Sequence, residues 1–353
     1  MSKFWSPLTA SLVPYVPGEQ PKDKTYIKLN TNENPYPPSP KVIDAIAEAN
    51  NADLRLYPDP TCESLVQAAA KYYGLPTGEV FVGNGSDEIL AFAFAAFFDP
   101  AKKILFPDIT YSFYKVYAKL YGLNADLIPL DEQFNVPVHA FHPDNGGVVI
   151  PNPNAPTAQL LALDDIRTLL AGQPNQVVII DEAYIDFGGQ SAIALIQDFP
   201  NLLVVQTLSK SRSLAGLRVG FAFGSEELIE GLNRIKNSFN SYTIDRLALA
   251  GAVAALEDDA YFRNTTARVI ATRERVTKQL LELGFKVTDS KANFVFISHK
   301  EIAAKVLFQQ LRDKGVLVRY FDQARIDQYL RVSIGTDEEM DAFVAALQEI
   351  IGS

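Results

Sequence analysis

Short apolar segments alternate with helix-like segments along the first two thirds of this 353-residue chain. The apolar segments end in turn-forming or polar residues, which is typical of buried strands. The predicted strands are residues 80–82, 104–106, 148–150, 177–180, 203–205 and 219–223. Helical patterns at residues 42–49, 63–73, 87–98 and 163–170 lie around and between them. This alternation predicts an α/β fold, with a mostly parallel central sheet covered by helices on both faces.

The pattern changes from about residue 247 onward. A long helical stretch at residues 268–283 is followed by shorter strand-like and helix-like segments in turn. The strands are expected at residues 294–297, 316–318 and 329–334, and further helices at residues 302–314 and 338–351. We therefore expect an N-terminal arm (1–30) with short extended pieces, a large domain (31–246) and a smaller α+β C-terminal domain (247–353).

Composition excludes several classes of function. The net charge of −10 argues against a nucleic-acid partner, because phosphate backbones are bound by basic surfaces. The apolar run at residues 89–98 is too short to span a bilayer, so we expect no membrane association. Three histidines and one cysteine are too few for a Cys/His zinc site, and we expect no metal. The single cysteine and the lack of a secretory signal at residues 1–10 favour a cytoplasmic protein.

A glycine-rich turn follows the predicted strand at residues 80–82. Residues 83–88 read GNGSDE, in which Ser86 is a suitable N-cap for the next helix and the glycines permit exposed backbone N–H groups. Such a helix N-terminus can bind a phosphate group. An ordinary capped helix, with Asp87 and Glu88 at the positive end of its dipole, explains the same residues.

Two more strand ends carry polar residues. Asp181 follows a wholly apolar strand, where a carboxylate needs a partner such as a protonated pyridine nitrogen, or else faces solvent. Lys210 lies among hydroxyl side chains in residues 207–211 (TLSKS), where partial burial would activate it as a Schiff-base nucleophile. Arg218, shortly downstream, is suited to binding a phosphate. Each residue taken alone is equally compatible with an ordinary surface role.

A fourth polar position lies near the C-terminus. In residues 330–336 (LRVSIGT), Arg331 alternates with apolar residues, so its side chain lies on one face of a strand. A guanidinium group forms paired hydrogen bonds with a carboxylate, as an amino-acid substrate would require. A salt bridge with one of the many acidic residues is the alternative.

Together and in this order, the motifs resemble the class I/II aminotransferases of the pyridoxal-phosphate (PLP) dependent fold type I. The resemblance covers nearly the whole chain, from residues 29–35 (LNTNENP) and 57–59 (YPD) to residues 330–336. It implies PLP as cofactor and transfer of an amino group from a small-molecule donor to a 2-oxo acid. The pattern is most similar to the branch that uses histidinol phosphate and 2-oxoglutarate in histidine biosynthesis. Aromatic aminotransferases and threonine-phosphate decarboxylases share nearly every motif and stay open as alternatives.

The resemblance also implies roles for individual residues. Lys210 would form the Schiff base and carry the proton, Asp181 would pair with the ring nitrogen, and Tyr184 would bond the ring 3′-oxygen. The residues implied in binding the cofactor are Gly85, Ser86, Asp87, Tyr111, Asn154, Asp181, Tyr184, Thr207, Ser209, Lys210, Arg218 and, reaching from a neighbouring subunit, Tyr57. The residues implied in binding substrate are Tyr15, Asn32, Arg319 and Arg331. A shared site of this kind implies a homodimer.

The sequence departs from the family pattern in two loops. Residues 152–158 (NPNAPTA) place Ala155 where the family usually has an asparagine that bonds the cofactor 3′-oxygen, so Asn154 is the candidate replacement. Residues 107–111 (PDITY) differ from the usual Pro-Thr-Tyr before the aromatic residue that stacks on the ring. Other enzyme classes find less support. The sequence has neither the glycine fingerprint that opens a helix in dinucleotide-binding proteins nor a Gly-Lys-Ser/Thr phosphate loop.

Overall fold

The computed structural model describes residues 2–352 and consists of two packed bodies, each with its own sheet. The helices are α1 (Pro7–Ser11), α2 (Pro40–Ala49), α3 (Glu63–Tyr73), α4 (Gly85–Phe97), α5 (Phe113–Leu120), α6 (Leu163–Ala171), α7 (Glu226–Phe239), α8 (Arg246–Glu257), α9 (Asp259–Glu282), α10 (Ala304–Asp313) and α11 (Asp337–Gly352). The strands are β1 (Ile27–Lys28), β2 (Val80–Gly83), β3 (Lys103–Pro107), β4 (Asn124–Ile128), β5 (Val148–Pro151), β6 (Val178–Asp181), β7 (Leu202–Thr207), β8 (Gly220–Gly224), β9 (Phe285–Val287), β10 (Phe294–His299), β11 (Val316–Leu317), β12 (Arg319–Tyr320) and β13 (Leu330–Ser333).

Within residues 2–352 the larger sheet has seven strands in the order β2-β8-β7-β6-β5-β3-β4. Neighbouring strands are parallel, except that β8 runs antiparallel to both β7 and β2. Alternate residues of each strand belong to separate apolar cores, as Val178 and Ile180 lie on one face and Ile179 on the other. The sheet is therefore buried on both faces, which confirms the predicted α/β fold.

The smaller sheet has four antiparallel strands in this part of the chain, in the order β12-β13-β10-β9. Helices α9, α10 and α11 pack with it around a core that also includes Leu29 and Tyr36 of the N-terminal segment. The C-terminal α+β body is thus confirmed. The domain limits at residues 30 and 246 stay predictions, and apolar residues of α8 pack into the core of the larger sheet.

Two local predictions were wrong, and one short strand was not expected. Helix α4 begins at Gly85 with Asn84 as its N-cap residue, so Ser86 lies in the first turn and does not cap the helix. The N-terminal arm contains the short helix α1, because Ser6 accepts a hydrogen bond from the Thr9 amide and Pro7 begins the helix. The strand expected at residues 316–318 is β11, which pairs with β1, and the separate strand β12 that follows it and pairs with β13 was not expected.

The fold brings several strand ends to one edge of the large sheet. The C-terminal ends of the parallel strands β5, β6 and β7 lie there, next to the beginning of the antiparallel strand β8. Gly220, at the start of β8, packs so closely on α4 that an added Cβ would lie 2.7 Å from the Ser86 backbone nitrogen. Ligands of open α/β sheets bind at such an edge.

Candidate active site

A cavity lies at this edge between the two bodies and the N-terminal arm, with about 920 Å³ of empty space that includes open solvent. The residues expected from the sequence that line the cavity are Tyr15, Asn32, Ser86, Asp87, Tyr111, Asp181, Tyr184, Thr207, Ser209, Lys210, Arg218, Arg319 and Arg331.

Asp181 is a buried carboxyl group at the floor of the cavity. It is the last residue of β6, and its Oδ2 accepts a hydrogen bond from the Tyr114 hydroxyl at 2.7 Å. Burial raises the pKa of Asp181 from 3.8 to about 6, although the hydrogen bond from Tyr114 acts in the opposite direction. Asp181 forms no salt bridge among residues 2–352. A cationic ring nitrogen placed against it would therefore supply the charge that burial has left unpaired.

An anion-binding corner lies beside this carboxyl group. The Arg218 Nη1 donates to Ser209 Oγ at 3.3 Å, and the Ser209 and Thr207 hydroxyl oxygens are 3.0 Å apart. Gly85 opens α4 with φ +77°, and a Cβ there would lie 2.5 Å from Arg218 Nη2. Glycine is therefore required for the helix N-terminus to approach the guanidinium. Hydroxyl groups, a guanidinium and a helix N-terminus suit a phosphate group.

Asp87 lies in the anion-binding corner although its carboxylate is itself negatively charged. Its carboxylate accepts from Arg218 Nη2 at 3.2 Å and from the Tyr111 hydroxyl at 3.0 Å. It therefore fixes the guanidinium and the tyrosine, while partly balancing the positive charge of the corner. Tyr111 also lines the cavity, where its ring face is suited to stacking on a planar ligand.

Lys210 extends into the middle of the cavity. Its Nζ lies 3.4 Å from the Thr31 carbonyl oxygen and 5.8 Å from the centre of the Tyr184 ring. The Asn34 side-chain amide donates to the backbone carbonyls of Lys210 and Ser211, at 3.0 and 3.2 Å. The main chain at Lys210 is thus held firmly, while its amine has only one long hydrogen bond. An amine placed in this way is available to a carbonyl ligand.

Tyr184 is connected to the small body through Asn32. The Asn32 Nδ2 donates to the Tyr184 hydroxyl oxygen at 3.1 Å, and the Asn32 Oδ1 accepts from Ser333 Oγ at 2.9 Å. The Tyr184 ring packs edge-on against Phe294, with ring centres 5.0 Å apart. Because the Tyr184 oxygen already accepts one hydrogen bond, its own proton is free to be donated to a ligand oxygen.

Two arginines face each other at the opposite end of the cavity. Arg319 of β12 and Arg331 of β13 are direct cross-strand partners, an arrangement that is unfavourable for like charges. Arg331 is half-buried and donates to the Asn30 carbonyl oxygen at 2.9 Å, and its buried Nε has no hydrogen-bond partner within residues 2–352. Burial lowers the pKa of Arg331, and the nearby Arg319 charge lowers it further. Neither guanidinium forms a salt bridge within residues 2–352.

Three expected residues do not line the cavity. Gly85 lies just behind it, against Arg218. The Asn154 amide instead donates to Thr157 Oγ1 and to the Ile109 carbonyl oxygen, at 2.8 and 3.1 Å, and Ala155 lines the cavity in its place. The contact between Asn154 and the cofactor stays a prediction. Tyr57 is 77% exposed and stacks on Tyr242 outside this cavity, with ring centres 4.6 Å apart.

Sequence reasoning missed several residues of the site. Tyr114, which bonds Asp181, lies in a tyrosine-rich helix that was not assigned a role. Its apolar surroundings in residues 111–118 were the signal, since a fully buried tyrosine normally directs its hydroxyl group to a polar partner. The backbone groups at Thr31 and Asn30 could not be found from residue types, because any residue supplies a carbonyl oxygen.

Known proteins with similar sequences support the resemblance to the aminotransferases. Residues 24–347 match the family model described as aminotransferase class I and II. The chain belongs to this family. Two relatives are the histidinol-phosphate aminotransferases of Clostridium acetobutylicum and Clostridium beijerinckii. The first is 62% identical over 351 residues, covering 99% of this aminotransferase and 100% of the relative. The second is 58% identical over 353 residues, covering 100% and 99%.

Solved structures share the fold. The histidinol-phosphate aminotransferase of Sinorhizobium meliloti in complex with pyridoxal-5′-phosphate has a TM-score of 0.90 at 24% identity, covering 100% of this aminotransferase and 98% of that chain. Another histidinol-phosphate aminotransferase, from Clostridium acetobutylicum, has a TM-score of 0.86 at 25% identity, covering 92% and 99%. PLP is the cofactor of this enzyme, as its family implies. The chemistry of the cavity fits that cofactor, with a buried carboxyl group, a hydroxyl donor, an amine and an anion-binding corner. Among residues 2–352, no helix is both long and apolar enough to cross a membrane.

Proposed function

We propose that this aminotransferase transfers the amino group of histidinol phosphate to 2-oxoglutarate, as a step of histidine biosynthesis. The observation that carries the proposal is the cross-strand pair of Arg319 and Arg331, two cations without a salt-bridge partner at the substrate end of the cavity. Histidinol phosphate carries a phosphate ester, and 2-oxoglutarate carries two carboxylates. Both ligands therefore supply the negative charge that this end of the cavity lacks. The names of the relatives at 58–62% identity point to the same donor.

In this proposal the large body holds the cofactor. When bound, PLP withdraws electrons from the substrate Cα and so makes the Cα proton removable. Asp181 would pair with the protonated ring nitrogen, and Tyr184 would donate to the ring 3′-oxygen. Ser86, Thr207, Ser209 and Arg218 would bind the phosphate. Tyr111 would stack on the ring, and Asp87 holds both Tyr111 and Arg218 in place.

Lys210 carries the proton in the reaction. Its Nζ lies at the junction of the two ends of the cavity, near Thr31 on one side and the Tyr184 ring on the other. From that position its amine would be able to bond the cofactor carbonyl group and to accept and return the proton of the substrate Cα. Proton transfer by a side chain held in position accounts for about 10²–10⁴-fold of rate.

Arg331 and Arg319 orient the substrate, with Tyr15 and Asn32 beside them. Arg331 is half-buried with a buried Nε, so its hydrogen bonds to an anion are strong, and Arg319 adds charge from a half-buried position across the strand pair. Tyr15 packs against Phe113, with ring centres 4.6 Å apart, and closes the cavity on the side of the N-terminal arm. Together these groups place the amine of the donor towards Lys210 and restrict the access of water.

We also propose a cytoplasmic homodimer with shared active sites. Tyr57 is exposed on one protomer, and in the dimer its hydroxyl group would contribute to the phosphate site of the partner. The exposed aromatic pair of Tyr57 and Tyr242 supports an interface at this surface. The single buried cysteine, Cys62, fits a reducing compartment.

The test is a titration of the purified holoenzyme with candidate donors, followed by the visible absorbance of the bound cofactor. Histidinol phosphate is expected to change the absorbance of the bound cofactor at a far lower concentration than phenylalanine, tyrosine or unphosphorylated histidinol. Threonine phosphate is expected to release no CO₂. A preference for phenylalanine or tyrosine would replace the proposed donor with an aromatic amino acid, and CO₂ release would indicate a decarboxylase. A colourless protein that gains no absorbance with PLP would contradict the whole proposal.

A further inference from the structure

The loop at residues 107–111 carries the cavity residue Tyr111 and contains an unusual acid, Asp108. The Asp108 Oδ1 accepts hydrogen bonds from the Ile109 and Leu130 amides, at 2.9 and 3.0 Å. This carboxylate therefore organises its own loop and the segment after β4. Its second oxygen points to a different part of the molecule.

That part is the segment between β12 and β13, which contains Arg325. The Arg325 Nη1 forms a salt bridge with Asp108 Oδ2 at 2.6 Å. The Arg325 Nη2 donates to the carbonyl oxygens of Leu130 and Asp131, at 2.7 and 3.1 Å. Arg325 has φ +73°, a left-handed conformation that is unfavourable for a side chain of this kind. One guanidinium thus binds three groups of the large body while its own backbone is strained.

An apolar cluster surrounds the salt bridge and also joins the two bodies. Ile109 of the loop and Phe134 of the large body pack with Phe296 of β10 and Ile326, which follows Arg325 directly. Phe321, half-buried at the edge of this cluster, lies with its ring centre 5.7 Å from the Arg331 guanidinium and 5.8 Å from that of Arg319. The segment that contacts the Tyr111 loop is therefore also the segment that packs against the substrate arginines.

Asn154 fastens the same loop from the other side. Its side-chain amide donates to the Ile109 carbonyl oxygen at 3.1 Å, and the Asn154 side chain is buried. The loop is consequently held at the Asp108 side chain, at the Ile109 side chain and at the Ile109 carbonyl. Each contact precedes Tyr111 by only two or three residues, so the position of the Tyr111 ring depends on all three.

We infer that Asp108 and Arg325 are positioning residues that couple the ring of Tyr111, at the cofactor, to Arg319 and Arg331, at the substrate. The inference rests on the proposed function, because it assigns the two ends of the cavity to cofactor and substrate. Neither residue lines the cavity, so neither is a catalytic residue. The salt bridge joins the two bodies beside both the Tyr111 loop and the segment that packs against the substrate arginines.

The kinetic consequence is a change in KM more than in kcat. Loss of the salt bridge loosens the small body and lets the substrate arginines move away from the cofactor, while Lys210, Asp181 and the phosphate corner stay in the large body. Arg325→Ala is expected to raise the KM for histidinol phosphate roughly five- to tenfold and to change kcat by less than about threefold. Arg325→Lys keeps the charge but loses the paired hydrogen bonds, so its KM should lie between that of wild type and that of Arg325→Ala.

The experiment compares holoenzyme variants Arg325→Ala, Asp108→Ala and the double variant with a matched control. The control is Arg275→Ala, which removes a similarly exposed arginine that bridges Asp337 and Asp341 within the small body alone. We expect the control to leave KM unchanged and the double variant to be no worse than the poorer single variant. The inference would be overturned if the effects of the two single variants on KM multiplied in the double variant. It would also be overturned if the control raised KM equally.

Backbone hydrogen exchange provides a readout that needs no substrate. Peptides that include residues 108–111 are expected to exchange several times faster in Arg325→Ala and Asp108→Ala than in wild type, with no change in the control. Unchanged exchange in these peptides would overturn the coupling. Failure of the proposed function would show differently, because wild-type holoenzyme would then not turn over histidinol phosphate. The exchange measurement would still decide whether Arg325 holds the loop.

Discussion

The cofactor end of the cavity is formed by strand ends and loops of one sheet, whereas the substrate end is assembled from the N-terminal arm, β12 and β13. At the cofactor end the charges are largely matched within the protein, as Asp87 pairs with Arg218. At the substrate end Arg319 and Arg331 face each other without a salt-bridge partner in residues 2–352. One end is thus organised for a resident group, and the other is organised for anions that come and go. Four predictions test this contrast, from the largest expected effect to the smallest.

Lys210 lies where the two ends meet, so its loss should have the largest effect. Lys210→Ala is expected to lower kcat by about 10³-fold or more, because no other lysine lines the cavity among the described residues. The variant should still bind PLP through the contacts of the large body. Turnover and cofactor absorbance are the measurements, and Lys291→Ala, which breaks the exposed Lys291–Asp289 pair, is the control. Residual activity within tenfold of wild type would remove Lys210 from its role.

Asp181 tests the cofactor end through pH. Burial raises its pKa from 3.8 to about 6, so Asp181 favours the folded cofactor-free protein below pH 4 and this stabilisation is lost as pH rises through about 6. The full shift corresponds to a change in the free energy of unfolding on the order of 3 kcal/mol. Relative to wild type, cofactor-free Asp181→Asn should therefore gain stability between pH 4 and pH 7.5. Urea unfolding at both pH values measures the difference, and PLP should reverse it by stabilising wild type more than the variant. Parallel pH profiles would show that Asp181 is not the buried acid described.

The two substrate arginines should differ in effect. Arg331→Lys is expected to lower kcat/KM for histidinol phosphate roughly 30-fold, because a guanidinium with a buried, unpartnered Nε loses paired hydrogen bonds to the anion. Within residues 2–352, Arg319 makes only long, exposed hydrogen bonds to the Pro17 and Val16 carbonyl oxygens, at 3.5 and 3.3 Å, so Arg319→Lys should lower kcat/KM only about threefold. PLP affinity should stay within about threefold of wild type in both. Release of the cofactor by either substitution would contradict the assignment of the two arginines to a substrate end separate from the cofactor end.

Tyr57 is expected to have the smallest effect and tests whether the cofactor end is shared. Tyr57→Phe should weaken PLP binding about threefold to tenfold, since one hydrogen bond to the phosphate is lost. Tyr242→Phe, which alters only the stacking partner, is the matched control. A stronger test mixes Tyr57→Phe protomers with Lys210→Ala protomers. It measures whether the mixed dimers retain one normally active site. Unaltered PLP affinity in Tyr57→Phe would place the phosphate contacts within one protomer.

The sequence predicted the two ends of the cavity unequally. Asp181 and Lys210 could be found because they follow apolar strands, and parallel strand ends meet at one edge of a sheet. Arg218 lies just before β8, which begins at the same edge. The resemblance named Arg319 and Arg331, but their direct pairing could not be foreseen. It depends on the short strand β12, which the sequence did not predict. The hydrogen bond from Tyr114 to Asp181 and the salt bridge from Arg325 to Asp108 join positions far apart in sequence, which local patterns do not encode.

One local error has a plain physical reason. The capping role expected for Ser86 failed because α4 begins at Gly85, where the glycine conformation lets the chain turn beside Arg218. The cofactor contact of Asn154 stays a prediction. The sequence did not indicate that its side-chain amide would donate to the Ile109 carbonyl oxygen.

The most direct measurement is the position of the covalent link between cofactor and protein. Holoenzyme is treated with borohydride, which fixes the link, and is then digested and analysed by mass spectrometry. We predict that the added cofactor mass lies on Lys210 alone and that Lys210→Ala carries none. Modification of a different lysine, or no modification of a coloured wild-type protein, would contradict the assignment of Lys210 and of the cavity that is built around it.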